Sequence, residues 1–143
     1  MSPRIRKLSK QWLNDPQEIE LIEKRRTPTS IDHTFIYCHA QEKERSFVEQ
    51  IKNSGAEKSI IFCHSRKETE IISKVLKRNG VKDAEYIHAG LDQNVRTSII
   101  DKFRRGKFRH LIGTDVLARG MDFTEVTHVF IYKLSENPDV YIH

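Results

Sequence analysis

The run 114–122 (TDVLARGMD) brings two carboxylates, an arginine and a glycine into one short stretch of chain. It follows the apolar residues 110–113, which are predicted to form a strand. In open α/β sheets, a turn at the carboxyl end of a strand is where ligands bind. Gly120 has no side chain, so backbone amides can approach an anion closely there. The residue types suit a phosphate and a ribose, and we predict that this run is a binding site.

The order T-D-x-x-A-R-G-x-D in this run resembles motif V of the DEAD-box RNA helicases. The resemblance implies that Thr114 and the backbone of Gly120 approach RNA phosphates, with Asp115 orienting the loop. It also implies that Asp122 binds a ribose hydroxyl of ATP and that Arg119 couples the two sites. A carboxylate accepts a hydrogen bond from a sugar hydroxyl but repels a triphosphate, which agrees with this place for Asp122. The alternative, a capped turn, leaves the arginine-glycine-x-aspartate order unexplained.

A second candidate site follows the apolar run 59–63 (SIIFC). Ser65 and Glu68 have the spacing of a capping box, which predicts that a helix begins here. The Ser65 hydroxyl, the free amides of the first helical turn and the Arg66 guanidinium suit a phosphate. The segment resembles motif IV of the same family, which contacts the RNA backbone, although His64 stands where the family usually has asparagine. Capping by Ser65 alone is the alternative interpretation.

A third candidate site, residues 88–96 (HAGLDQNVR), joins a predicted strand to the next helix. Gly90 can offer a backbone amide to a phosphate, and Gln93 and Arg96 lie three residues apart on one helical face. The segment is similar to the family's H-G-x-x-x-Q-x-x-R pattern, which implies RNA contacts for these three residues. Ala89 replaces the usual glycine, and the order H-A-G-L also resembles RecQ-type DNA helicases. A solvated surface charge is the alternative for Arg96.

These loops need a scaffold that places them together. Apolar runs and helical spacing alternate along the chain, which predicts an α/β fold with a mainly parallel sheet and helices on both faces. The resemblance implies a RecA-like, P-loop NTPase-type fold with three layers. Since the carboxyl ends of parallel strands share one edge, the three loops are expected to converge. The predicted strands are 33–38, 59–63, 84–87, 110–113 and 128–132, and the helices between them end near Gly55, Gly80 and Gly106.

Composition sets the wider limits. A chain of 143 residues with 37% hydrophobic content can form a core without disulfides or metal. The charged, proline-containing residues 1–30 are predicted to be a linker from an N-terminal helicase domain, and residues 31–143 to be the C-terminal RecA-like domain. The net charge of +5 favours a polyanionic partner. We predict no metal site, because the neighbouring residues in Cys38-His39 and Cys63-His64 point to opposite faces of a strand and would be poor zinc ligands. Buried thiols are favoured instead.

The whole pattern resembles the C-terminal half of an ATP-dependent DEAD-box RNA helicase, ending where motif VI begins. The sequence contains neither a G-x-x-x-x-G-K-[ST] phosphate loop nor a D-E-A-D cluster, so this chain alone is not expected to hydrolyse ATP. The resemblance implies an N-terminal RecA-like domain that binds most of the ATP and Mg²⁺, and single-stranded or duplex RNA as substrate. A RecQ-like DNA helicase fragment and a stand-alone RNA-binding module are the alternatives. The sequence lacks a signal peptide or membrane-spanning run. This predicts a cytoplasmic location with no membrane partner, and a nuclear or organellar location stays open.

Overall fold

The structure is a computed structural model that describes residues 7–8, 11–12, 31–114, 117, 123 and 125–133. The chain divides into two compact units, Met1–Asp32 and His33–His143. In the first unit the described residues 7–8 and 11–12 are helical, and the Trp12 side chain is exposed. The predicted boundary between linker and domain at residue 30 stays a prediction.

The second unit alternates helices and strands, as the sequence predicts. A short 3-10 helix at Ala40–Glu42 leads directly into the first α-helix. The regular elements in chain order are α1 (Lys43–Asn53), β1 (Ser59–Phe62), α2 (Arg66–Arg78), β2 (Ala84–Ile87), α3 (Gln93–Arg104), β3 (His110–Gly113) and β4 (His128–Ile131).

The strands form one parallel sheet in the order β2-β3-β1-β4. Ser59 in β1 lies opposite His110 in β3 and His128 in β4, and Ala84 in β2 also lies opposite His110. The strands are therefore in step, and their carboxyl ends form one edge of the sheet. The predicted α/β fold with a mainly parallel sheet is confirmed.

Side chains that alternate along the central strands contribute to two hydrophobic cores, one on each face of the sheet. Ile61 and Ile112 pack with α1 and α2, whereas Ile60 and Leu111 pack with Phe103 of α3. This alternation is the normal consequence of the pleat. Near-continuous apolar runs such as those in β1 and β3 are typical of strands that are covered on both faces. The sheet thus lies between two helical layers, which hold its carboxyl edge in place.

The predicted first strand, residues 33–38, is wrong in this structure. Residues 31–39 form no regular secondary structure and are all exposed, with Tyr37 94% accessible. β-Branched and aromatic residues favour a strand only where a neighbouring strand completes the hydrogen bonds. In the described sheet, hydrogen-bond ladders connect the four strands in the order β2-β3-β1-β4. Residues 33–38 belong to none of these ladders. The other predicted strands form within one residue of their predicted ends.

Helical spacing predicts that Ile71 and Val95 face the core, and Cys38 is predicted to be a buried thiol, but all three side chains are exposed. Ile71 is 43% accessible because Thr69 and Ser73 occupy the inward face of α2 beside Ile72. Thr69 can be buried since its hydroxyl donates to the Arg66 carbonyl at 2.6 Å. Val95, at the start of α3, is 45% accessible. Of the two thiols only Cys63 is buried, while Cys38 is exposed on the segment that does not form a strand.

Asn137-Pro138 has the residue types of an N-cap and a first-turn proline, and the helix that this pair predicts lies outside the described residues. Where the structure describes helices, none is long and apolar enough to cross a membrane.

Candidate nucleic-acid interface

Three loops with polar side chains lie along the carboxyl edge of the sheet. Residues 63–65 follow β1, residues 88–92 follow β2, and Thr114 follows β3. Because β3 lies between β2 and β1, Thr114 is flanked by the other two loops. The edge therefore carries all the described residues that the sequence predicts for RNA binding, which are Ser65, Arg66, Gly90, Gln93, Arg96 and Thr114.

Ser65 caps helix α2. Its hydroxyl oxygen accepts a hydrogen bond from the Glu68 amide at 3.2 Å, and its backbone is extended, as an N-cap requires. The Glu68 carboxylate accepts from the His64 amide at 2.6 Å, one residue before the amide used in a regular capping box. Capping thus occupies the acceptor side of the Ser65 hydroxyl and leaves its proton available for donation. The capping role and a ligand contact are compatible.

Arg66 extends from the first turn of α2 to the neighbouring loop. A Cβ atom built on Gly90 would lie 3.6 Å from Arg66 Nη1. The guanidinium therefore lies over the Gly90 backbone, although Arg66 and Gly90 follow different strands. Arg66 is exposed, so the remaining donors of its guanidinium face solvent at this edge.

The Gly90 loop is held by His88. Gly90 donates its amide proton to His88 Nδ1 at 3.1 Å, and His88 Nε2 lies 3.2 Å from Glu70 Oε1. A Cβ on Gly90 would lie only 3.1 Å from the same imidazole, which explains a glycine here without a positive φ. The Gly90 amide, predicted to face a phosphate, is satisfied inside the loop in this structure. A contact between Gly90 and RNA stays a prediction.

Gln93 and Arg96 form a pair at the start of α3. Arg96 Nη1 donates to Gln93 Oε1 at 3.0 Å, as their spacing on one helical face allows. Arg96 is half-buried, and its Nε atom is buried with no hydrogen-bond partner among the described residues. Both side chains line a cavity of about 230 Å³, together with Thr114 and His88. The guanidinium of Arg96 thus belongs to a residue at the wall of this cavity, which Asp101 also lines, and a guanidinium in such a place is suited to an oxyanion.

Thr114 begins the third loop and is itself buried. Its carbonyl accepts from the Leu117 amide at 2.9 Å, so the chain turns back at once toward the sheet. Leu117 then covers Gly113, where a Cβ would lie 2.6 Å from Leu117 Cγ. A glycine at the end of β3 is therefore required by packing. The other predicted site residues of this loop, Asp115, Arg119, Gly120 and Asp122, lie outside the described residues.

The basic run at the end of α3 has a different character. Lys102, Arg105 and Lys107 are exposed. Arg109 pairs with Asp83, where burial favours a higher pKa for the carboxyl but the hydrogen bond from Arg109 holds that pKa below its usual value. Arg109 is therefore engaged in structure, and the exposed lysines and arginine form a solvated face.

The cysteines do not form a metal site with their neighbours. Within the described ranges, no group of three or more His, Cys, Asp or Glu side chains is placed to hold a metal ion. Burial, followed by the nearby Glu68 carboxylate, raises the pKa of the Cys63 thiol to about 12. A thiol that stays protonated is a small apolar core residue and a poor ligand or nucleophile.

Sequence reasoning missed Glu70 as a member of this edge. Glu70 is four residues after Arg66, so both side chains lie on one face of α2, and this spacing was a usable signal. Its partner His88 is 18 residues away in sequence, and no local pattern predicts that contact.

Comparison with known families agrees with the sequence and the fold. Residues 42–143 match the family described as helicase conserved C-terminal domain. Over its full length the chain is 32% identical to the ATP-dependent RNA helicase CshA of Listeria monocytogenes and 31% identical to the DEAD-box ATP-dependent RNA helicase CshA of Streptococcus pneumoniae. The chain spans 27% of the length of each of these relatives.

Solved structures give the same result. The structure of Saccharomyces cerevisiae Dbp5 bound to RNA and ADP BeF3 superposes with a TM-score of 0.87 at 26% identity, over 99% of this chain and 38% of that chain. A DEAD box protein from Methanococcus jannaschii superposes with a TM-score of 0.72 at 28% identity, with the same coverage. These neighbours confirm the predicted RecA-like fold.

The relatives also decide between the two helicase interpretations. They are named RNA helicases, and the RecQ-like alternative is not favoured. The match covers most of the second unit, and the structural neighbours are DEAD-box proteins. The chain belongs to the helicase conserved C-terminal domain family and is a C-terminal helicase domain of the DEAD-box type.

Proposed function

We propose that this chain supplies the C-terminal half of an ATP-dependent RNA helicase, and that its sheet edge binds the phosphates of single-stranded or duplex RNA. The observation that carries the proposal is the convergence of Arg66, Arg96 and Thr114 from α2, α3 and the loop after β3. Arg66 lies over the Gly90 loop, and Arg96 lines a cavity that Thr114 also lines.

The chemistry of this edge favours backbone recognition. Guanidinium groups bind phosphate oxygens through several donors, whereas reading of bases requires side chains that reach base edges. The Ser65 hydroxyl, the Gln93 amide and the Thr114 hydroxyl add neutral donors of the kind that contact phosphates. We expect binding that tolerates many sequences. The full-length relatives are named ATP-dependent RNA helicases, and the Dbp5 structure contains RNA, which supports RNA as the polyanion.

ATP and Mg²⁺ belong to the proposal through residues that the structure does not describe. Asp122 is proposed to bind the ribose and Arg119 to couple the ATP and RNA sites, with Asp115 and Gly120 completing the RNA contacts of that loop. The described residues contain no acidic cluster that fits Mg²⁺. The resemblance to DEAD-box helicases assigns the ion and most of the triphosphate to an N-terminal RecA-like domain, the proposed partner within the same protein. A cytoplasmic location stays a prediction from the sequence.

RNA binding by matched double variants tests the interface. The variant Arg66→Ala/Arg96→Ala removes two proposed phosphate contacts, and Lys102→Ala/Arg105→Ala removes two exposed charges from the solvated face. Each lost contact to a single strand should lower the slope of log K against log salt by about 0.7, so the first variant should lose about 1.4. Fluorescence anisotropy with two unrelated RNA sequences should show the same loss for both. Equal effects of the two variants would overturn the assignment of the edge.

ATP turnover separates the helicase from the stand-alone binding module. Hydrolysis is measured with RNA, with DNA and without nucleic acid, on this chain and on the product of the longest reading frame that contains it. Stimulation by RNA in the longer product only is the expected result. Turnover that only DNA stimulates would contradict an RNA helicase, and RNA binding without turnover would favour the binding module.

A further inference from the structure

We propose that Glu70 is a positioning residue of the RNA interface, acting through the His88 imidazole on the Gly90 loop. The inference rests on the proposed RNA-binding function and deepens it. Glu70 is not among the proposed RNA contacts, and neither capping nor the core accounts for its place.

The contacts form a chain that crosses from one helix to the next loop. The Gly90 amide donates to His88 Nδ1 at 3.1 Å, so in this arrangement Nδ1 carries no proton and the ring proton lies on Nε2. His88 Nε2 then donates to Glu70 Oε1 at 3.2 Å. A carboxylate that fixes a tautomer in this way is the usual means of orienting a histidine ring. Glu70 thereby keeps Nδ1 as the acceptor that Gly90 needs.

The ring is held well enough to transmit this effect. The His88 side chain is 7% exposed and stacks on Tyr86, with ring centroids 5.6 Å apart. The His88 carbonyl accepts from the Leu91 amide at 3.1 Å, so the same residue closes the turn that leads into α3. Arg66 lies over Gly90, and Gln93 and Arg96 follow the turn directly. The position of His88 therefore affects four of the proposed RNA contacts, which are Arg66, Gly90, Gln93 and Arg96.

The two possible roles of Glu70, as a nearby negative charge or as a positioning residue, predict opposite changes in RNA affinity when Glu70 is removed. Removing a carboxylate beside a site for a polyanion should strengthen binding if only the charge matters. If Glu70 positions the loop, its loss should weaken binding by about two- to tenfold, the range expected for one hydrogen bond. Glutamine removes the same charge but can still accept from Nε2–H. The sign of the change thus separates the two roles.

The chain offers a matched control in Glu85. Its carboxylate lies 3.2 Å from Lys77 Nζ and also joins α2 to β2, at the far end of the helix from Glu70. The two glutamates are nearly equally exposed, at 43% for Glu70 and 44% for Glu85. Glu85→Ala therefore removes one charge and one contact with α2 without touching His88.

The first arm of the test requires no RNA. In the 143-residue chain, long-range ¹H–¹⁵N spectra should show the Nε2–H tautomer of His88, and the Gly90 amide should exchange slowly with solvent. Glu70→Ala should mix the tautomers and speed Gly90 exchange, Glu70→Gln should restore both, and Glu85→Ala should change neither. An unaltered tautomer and an unaltered exchange rate in Glu70→Ala would overturn the inference.

The second arm measures RNA affinity of the same variants. Weaker binding for Glu70→Ala and near-normal binding for Glu70→Gln and Glu85→Ala are expected. If Arg66→Ala/Arg96→Ala weakens binding but Glu70→Ala strengthens it or leaves it unchanged, the positioning role is wrong and the proposed interface stands. If the double arginine variant has no specific effect, the interface itself is wrong, and the spectra alone then decide what Glu70 does to His88.

Discussion

Gly113 and Leu117 form a packing pair that a double-mutant cycle can measure. Gly113 is the last residue of β3, and Leu117 is 4% exposed in the core on the α3 face. A Cβ on Gly113 would overlap Leu117 Cδ1 and lie 2.6 Å from Leu117 Cγ. Carbon atoms in contact normally stay about 3.5 Å apart or more, so Leu117 Cγ would have to retreat by about 1 Å and Cδ1 by more.

The energies follow from this geometry. Gly113→Ala should destabilise the fold by about 1–3 kcal/mol, because the leucine must leave a filled site. Leu117→Ala should cost about 2–5 kcal/mol through lost burial and the cavity left behind. Truncation of Leu117 removes both overlapping atoms, and the next nearest atom to the new Cβ is Ile87 Cγ2, at an ordinary contact distance of 3.4 Å. Gly113→Ala should then cost little, and the double variant should be less destabilised than the sum of the single variants by about 1 kcal/mol or more.

Urea unfolding followed by far-ultraviolet circular dichroism gives the free energies of unfolding of the four proteins. Equal m-values across the set would show that the variants differ in stability and not in compactness. The same overlap should also disturb the proposed RNA-binding edge at Thr114, because Leu117 closes the turn that begins there. Strict additivity of the two substitutions would refute the packing argument, whatever the size of the single effects.

Three further predictions rest on single groups. Ser65→Ala should destabilise the fold by about 1 kcal/mol in urea unfolding, whereas Ser65→Asp, which keeps the cap, should not. Burial holds the pKa of His110 below 6.5, so the neutral ring is the stable one. Its contribution should be complete above about pH 6.5 and fall as the pH drops through the lower folded pKa, and His110→Gln should flatten this slope. Iodoacetamide at neutral pH should modify exposed Cys38 and spare Cys63 until urea unfolds the protein, because burial keeps Cys63 protonated. An unchanged slope in His110→Gln, or labelling of native Cys63, would contradict these arguments.

The sequence predicted those parts of the fold whose signals are local. The continuous apolar run of β1, the capping pair Ser65 and Glu68, and the glycine that ends α3 each specify an element within a few residues. The segment 33–38 has equally strong local preferences and still forms no strand, because a strand is completed by its neighbour. Helices satisfy their own backbone, and their prediction succeeded at the three positions that the structure describes.

The candidate site was predictable in place but not in detail, for the same reason. A parallel sheet gathers the loops that follow its strands, so the alternation of elements was enough to bring Arg66, Gly90 and Arg96 to one edge. Which donors remain free depends on contacts between residues that are distant in sequence. The Gly90 amide donates to His88 Nδ1, whereas Arg96 Nε finds no acceptor among the described residues. A pattern of residue types cannot separate these two cases.

Arg96 and the exposed cations near the end of α3 differ in how firmly the structure holds them, and the proposed interface predicts that this difference affects RNA binding. Arg96 is half-buried and already held by Gln93, so binding a phosphate there requires little further ordering of its side chain. Lys102 and Lys107 are exposed and would each have to give up rotamer freedom, and salt would screen their attraction. Their charges raise the local concentration of a polyanion, which affects the association rate more than the dissociation rate. If Arg96 contacts a phosphate as proposed, the side chain held by Gln93 should slow dissociation, and Arg96→Ala should raise the dissociation rate more than Lys102→Ala does.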